Sequence, residues 1–172
     1  PFAIILGCSD SRVPAELVFD QGFGDLFVIR VAGNIVAPSQ IGSVEFAAER
    51  FGTRLVVVMG HTHCGAIDAT LEAITTPAGA SSQNPLSLVH EALAATDLAS
   101  APARLRREAM RANVRASVNH LRHGSEVIER LASGAGADGL LVVGAELDLL
   151  TGVVDFFEGV SAAPKLELVE HK

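Results

Sequence analysis

FAIILGCSDSRVP, residues 2–14, passes directly from an unbroken apolar run into a polar turn that holds Cys8. An apolar run without alternation is how a strand reads when both of its faces are buried, as in a parallel sheet flanked by helices. Three further runs share this character: Leu26–Ile29, Leu55–Met59 and Leu140–Val143. Between them, residues 39–51 carry apolar side chains at helical spacing and end before Gly52, while residues 101–122 and 125–131 also read as helices. Alternating strands and helices predict an α/β fold with right-handed crossovers. The last strand signal, Gly152–Phe157, follows Leu140–Val143 through a connection too short for a crossover helix. It is therefore expected to be an antiparallel edge strand near the C-terminus. The whole of 1–172 is read as one α/β domain, with a loop at Thr75–Pro85 and a tail at Ser161–Lys172 to which no role is given.

Composition narrows the function classes. At 172 residues and 49% hydrophobic, with a mean hydropathy of +0.37, the chain can bury a sizeable core. No apolar run approaches the ~20 residues of a membrane-spanning helix. A formal charge of −7 and a pI near 5.3 argue against a nucleic-acid binder, and Trp and Tyr are absent as stacking platforms. Arg104, Arg106, Arg107, Arg111 and Arg115 make one helix locally basic, read as a solvated face. Two cysteines are too few for a disulfide scaffold. The sequence begins at Pro1 and enters its first strand at once, which is expected of a trimmed N-terminus. A cytoplasmic location is expected, with a removed targeting segment as the alternative.

The chemistry lies at the ends of two strands. Cys8 falls just after the first, and His61-Thr-His-Cys64 just after the third. Loops after neighbouring parallel strands meet at the carboxyl edge of the sheet, where open α/β folds bind ligands. Cys8, His61 and Cys64 are thereby expected to converge. Two thiolates and an imidazole suit zinc, and three protein ligands leave a fourth position open, the catalytic pattern. His63 is read as a solvent-facing neighbour, since adjacent side chains splay apart on an extended backbone. A Cys8–Cys64 disulfide is the competing reading, and the His-x-x-Cys spacing with polar flanks weighs against it. A lone cysteine nucleophile leaves the second thiol unexplained. Asp10 and Arg12 follow Cys8, where a guanidinium would keep the carboxylate ionised and fix its direction. Gly65 and Ala66 open a helix whose N-terminus favours a thiolate at Cys64.

CSDSRVP at 8–14, paired with GHTHCGAI at 60–67, resembles the β-class carbonic anhydrases. So do DQGFGDLFVIRVAGN (20–34), GSVEFA (42–47) and GLLVVGAELDLLTGVVDF (139–156). The resemblance implies a carbonate dehydratase with one zinc ion per subunit, hydrating carbon dioxide reversibly to bicarbonate and a proton by attack of zinc-bound hydroxide. It also implies that Cys8, His61 and Cys64 are the zinc ligands and Asp10 and Arg12 the catalytic dyad. In a closed form Asp10 becomes a fourth ligand. Gln21 and Gly65 would lie beside the substrate. A homodimer or higher homo-oligomer is implied, and the N-terminal helical arm common in the family is expected to be missing. Two thiolates offset the ion's charge, so bound water should be less acidic than at a three-histidine site and activity should rise on the alkaline side. Hydrolysis of carbon disulfide or carbonyl sulfide on the same fold, or a non-catalytic zinc domain, are the alternatives. His90, His120 and His123 are nominal proton shuttles.

Overall fold

Residues 3–7, β1 (Ala3–Gly7), are all buried, as an uninterrupted apolar strand in the middle of a sheet must be. The computed structural model describes residues 1–75, 102–134 and 139–160. Within them β1 is joined by β2 (Leu26–Arg30), β3 (Leu55–His61), β4 (Leu141–Leu147) and β5 (Val154–Glu158), in the order β2-β1-β3-β4-β5. The first four strands run parallel, and β5 returns antiparallel to β4. Asp148 makes that return tight. Its backbone N–H donates to the Val153 carbonyl, its carboxylate accepts from Leu150 and Thr151, and Gly152 takes a left-handed conformation at φ 74°. The mainly parallel sheet with an antiparallel edge is thus as expected from the sequence. The loop beginning at Thr75 and the tail 161–172 lie outside the described residues, apart from Thr75 itself, which ends a helix.

Two strands run longer than their apolar letters. β3 continues through Gly60 to His61, and β4 through Glu146 to Leu147, because Gly60↔Glu146 and His61↔Leu147 extend the ladder. His61 is therefore the last residue of β3 rather than part of the loop beyond it. Pairing of backbones, which does not depend on side-chain polarity, decides where a strand stops. β2 departs in the other direction. Its unbroken apolar letters predict burial on both faces, yet it is half-buried at the edge of the sheet, with Phe27 packed against Phe46 and Phe51. An edge strand has only one neighbour to cover it.

Besides the short α1 (Ala15–Val18), the helices are α2 (Pro38–Arg50), α3 (Gly65–Thr75), α4 (Pro102–Arg122) and α5 (Glu126–Ala132). Each has a local reason to begin or end where it does. Pro38 sits at the first turn of α2, and Gly52, left-handed at φ 68°, stops the chain beyond it. Ser125 caps α5 by accepting from Ile128 N–H at 3.2 Å. Helix α4 lies across β3 and β4, burying Met110, Val114, Val118 and Leu121. Gly60 and Gly144 make room for it. A Cβ on Gly60 would fall 2.6 Å from Met110 Sδ, and one on Gly144 only 2.7 Å from Val114 Cγ1.

The arginines of α4 are not simply a solvated face. Arg107 and Arg111 both donate to Glu146, which is buried on β4, and Arg106 pairs with Asp68 of α3 at 2.9 Å. A carboxylate under a helix needs such partners, since an unpaired buried charge is costly. Arg111 also reaches Asp155 and lies over the Phe157 ring at 4.4 Å, tying α4 to the edge strand.

Gly144→Ala should lower the unfolding free energy in urea by about 1–3 kcal/mol, because Val114 is β-branched and Glu158 Cβ closes the other side at 2.9 Å. An unchanged midpoint would show that α4 can shift away from the sheet without loss.

Candidate metal centre

The register of the sheet builds the centre. Gly7 at the end of β1 lies beside Met59 on one side and Arg30 on the other. Cys8 therefore emerges level with the ends of both neighbouring strands, and His61 follows two residues past Met59. The chain then reverses through Thr62 and His63 and enters α3 at Gly65. Cys64 sits at the start of that helix, its carbonyl accepting from Asp68 N–H at 3.0 Å. His63 takes the left-handed conformation, φ 55°, which is uncommon outside glycine. The backbone here is bent, not extended as the sequence reading assumed. The bend returns Cys64 toward His61 and leaves the His63 side chain exposed.

Cys8, His61 and Cys64, all buried, place their ligand atoms within 4.8 Å of one another. The two sulfurs are 4.0 Å apart and both cysteines are free, so the disulfide reading is not met. His61 Nδ1 lies 2.9 Å from the Thr62 carbonyl. A donor is needed at that contact, which assigns the proton to Nδ1 and leaves Nε2 a lone pair. Nε2 is buried without a hydrogen-bond partner. A buried nitrogen lone pair facing two sulfurs is a costly arrangement unless something accepts electrons from all three. These residues could hold a metal ion.

The charges agree. Cys8 is drawn down to about 4, first by its hydrogen bond with Cys64 and against the effect of burial, with His61 and the Asp10 and Gly33 amides adding to it. The same sulfur–sulfur bond, with burial, pushes Cys64 up, while the amides of Ile67 and Ala66 at the helix start pull the other way. One proton between two thiols is what a cation would displace. Burial lowers His61, but the Cys8 sulfur, the Thr62 carbonyl and Asp10 outweigh it and leave it raised.

Asp10 stands over this cluster, Oδ2 lying 3.9 Å from His61 Nε2. Arg12 grips it from three positions: its backbone N–H at 3.0 Å and Nε at 2.9 Å both donate to Oδ1, and Nη2 donates to Oδ2 at 2.6 Å. The guanidinium holds the Asp10 carboxyl well below the usual carboxylate range. Nη2 of Arg12 also donates to the His63 carbonyl at 2.9 Å, which ties the two halves of the site together. Arg30, given no role by the sequence reading, donates to the carbonyls of Cys8 and Asp10. A charged residue ending an apolar strand at the carboxyl edge was the available signal. Gly33, to which residue type and spacing assign no role, donates its N–H to Cys8 Sγ at 3.4 Å.

The remaining sequence-expected residues stand apart. Gln21 donates to the Phe19 carbonyl at 2.8 Å within its own turn, and no described hydrogen bond links it to Cys8, His61 or Cys64. Gly65 is exposed next to Cys64, with nothing within 4 Å of where a Cβ would stand. His120 and His123 lie at the far end of α4, where His123 pairs with Glu129, and His90 is outside the described residues. A cavity of about 200 Å³ borders His61 and Cys64 and extends between α3 and α4, past Ile67 and Met110. None of the described helices is long and apolar enough to cross a membrane.

Residues 3–154 match the family model described as carbonic anhydrase. Carbonic anhydrase 2 of Mycobacterium tuberculosis is 50% identical over 82 residues, a stretch covering 46% of this chain and 40% of that protein. The carbonic anhydrase of Pseudomonas aeruginosa is 36% identical over 186 aligned positions, covering 99% of this chain and 79% of the relative. The fold recurs in a tetrameric β-carbonic anhydrase of Sordaria macrospora, with a TM-score of 0.78 at 22% identity over 91% of this chain and 80% of that one. It recurs also in a β-carbonic anhydrase of Aspergillus fumigatus, with a TM-score of 0.80 at 24% identity over 94% and 77% of the two chains. With a match that runs from β1 into β5 and takes in both halves of the metal centre, this chain belongs to the β class of the carbonic anhydrase family.

Proposed function

We propose that this chain is a zinc enzyme that interconverts carbon dioxide and bicarbonate. The observation that carries the reading is the partnerless Nε2 of His61, buried against two sulfurs 4.0 Å apart and beneath a carboxylate clamped by Arg12. Two free sulfurs 4.0 Å apart beside an imidazole nitrogen are close enough to be shared by one ion, and zinc would suit that donor set. Two thiolates and one imidazole would hold the ion and leave one position for substrate chemistry. When bound, zinc supplies the Lewis acidity that makes water nucleophilic near neutral pH.

The chain's own groups do the rest. Nδ1–H of His61, bonded to the Thr62 carbonyl, keeps the ring turned so that Nε2 faces the site. Asp10, ionised under the grip of Arg12, is an acceptor that orients a proton-bearing nucleophile toward carbon dioxide. Because Arg12 occupies both carboxylate oxygens, it also restrains Asp10 from swinging in as a fourth ligand. Gly65 leaves open space beside Cys64, and the neighbouring cavity gives a small neutral molecule room to approach. The active form is a homo-oligomer in the cytoplasm, an assembly supported by the tetrameric Sordaria relative.

The purified protein should carry about one zinc per chain and hydrate carbon dioxide, and Cys64→Ser should lose both. Carbon disulfide and carbonyl sulfide, assayed on the same preparation, should turn over poorly. Turnover of these alone would reassign the substrate, zinc without turnover would make the domain non-catalytic, and a metal-free protein with a Cys8–Cys64 disulfide would sink the proposal.

Asp10→Asn and Arg12→Ala should retain zinc but reduce kcat by about 10–100-fold. Full activity in both would remove the pair from the mechanism.

The rate should climb between about pH 6 and 9, since two thiolates make the metal a weaker acid. A flat profile over that range would contradict the assigned donor set.

A further inference from the structure

Helix α4 buries two polar residues one turn apart, Asn113 and Ser117, among Met110, Val114, Val118 and Leu121. Polar side chains in an apolar stripe need partners, and both find them in one place. Asn113 Nδ2 donates to the Gly33 carbonyl at 2.7 Å, and Ser117 Oγ donates to the Asn34 carbonyl at 3.0 Å. Those carbonyls belong to the short turn Ala32–Asn34 that follows β2. Its last two residues are both left-handed, Gly33 at φ 67° and Asn34 at φ 44°, and the side-chain amide nitrogen Nδ2 of Asn34 is buried without a partner. Such a turn persists only where its surroundings over-determine it. What it presents to the rest of the molecule is the Gly33 N–H, 3.4 Å from Cys8 Sγ.

We infer that Asn113 is a positioning residue of the metal centre: by holding the Gly33 carbonyl it fixes the turn whose preceding peptide carries the Gly33 N–H, and so keeps an N–H···S hydrogen bond on the Cys8 ligand that tunes that sulfur as a donor. The inference rests on the metal-binding reading above. An N–H directed at a thiolate draws electron density from it, so the bound ion keeps more of its positive charge. Asp10 N–H is the other backbone donor to this sulfur, also at 3.4 Å, but it lies in the same loop as Cys8. Gly33 is delivered from another strand and depends on α4 for its position. Ser117 supports the same turn one peptide further away, so its part is smaller.

The test uses full-length protein with cobalt(II) in the site, compared among wild type, Asn113→Leu, Ser117→Ala and Val118→Ala. Asn113→Leu should move the thiolate-to-cobalt charge-transfer band to lower energy and, because a thiolate stripped of its N–H is more readily protonated and so lost as a ligand, speed zinc release to a chelator near neutral pH by about 10–100-fold. Ser117→Ala should move both in the same direction by less. Val118→Ala, which only opens a cavity in the same helix, should lower the Tm and leave the band in place. A folded Asn113→Leu with wild-type band and release rate overturns the inference while leaving the metal centre standing. Wild type that takes up no cobalt or zinc overturns both. If Asn113→Leu does not fold, wild type loaded with an NMR-active cadmium isotope decides: the Gly33 amide should show scalar coupling to the metal across sulfur. Coupling at Asp10 but none at Gly33 overturns the inference.

Discussion

The parallel pairing of β1 with β3, in the register that sets Gly7 beside Met59, is the constraint on which the centre depends. It brings Cys8 level with the last turn of β3, so that residues 56 positions apart meet with sulfurs 4.0 Å from one another. A slip of one residue would turn every side chain of a strand to the opposite face. Here β1 is buried throughout and β3 from Val56 onward, so a slip would have to refit close-packed side chains on both faces at once. Each large apolar side chain so buried contributes about 1.5–3 kcal/mol relative to exposure. The same hydrophobic energy that assembles the sheet therefore aligns the ligand atoms.

Around that alignment, electrostatics takes over from packing. The loop after β1 has little apolar material of its own, and two arginines hold it. Arg30 reaches from the end of β2 to the carbonyls of Cys8 and Asp10, and Arg12 binds both oxygens of Asp10 and the carbonyl of His63. The surface Arg12–Asp10 pair need add little to stability. Its importance is directional, because it fixes a carboxylate over a cluster that already faces inward. On the other side of the sheet's edge, Glu146 with Arg107 and Arg111 fastens α4 to β4. Helix α4 in turn supports the turn that donates to Cys8.

Much of the fold was readable because its cause is local. Continuous β-branched runs mark parallel strands, and a connection too short for a helix marks the antiparallel return to β5. Strand ends were less so: His61 and Leu147 belong to strands because their backbones pair, and pairing partners are not visible in a single stretch. The same is true of β2, whose letters resemble those of β1 but whose edge position leaves it half-buried. The basic row on α4 looked like solvated surface, because nothing near it in sequence announces that Glu146 is buried beneath it.

Residue type and spacing were enough, by themselves, to single out Cys8, His61, Cys64, Asp10 and Arg12, since the donor chemistry of thiols, imidazole and a clamped carboxylate is a property of the side chains. They were also enough to set those residues at one edge of a parallel sheet. The tertiary structure alone decided how the site is held. The left-handed bend at His63, the grip of Arg30, the Gly33 amide on the Cys8 sulfur and the anchoring of that turn by Asn113 all join segments distant in the chain. Hydrogen bonds of this kind depend on where backbone groups arrive after packing, and backbone groups carry no letter of their own in the sequence.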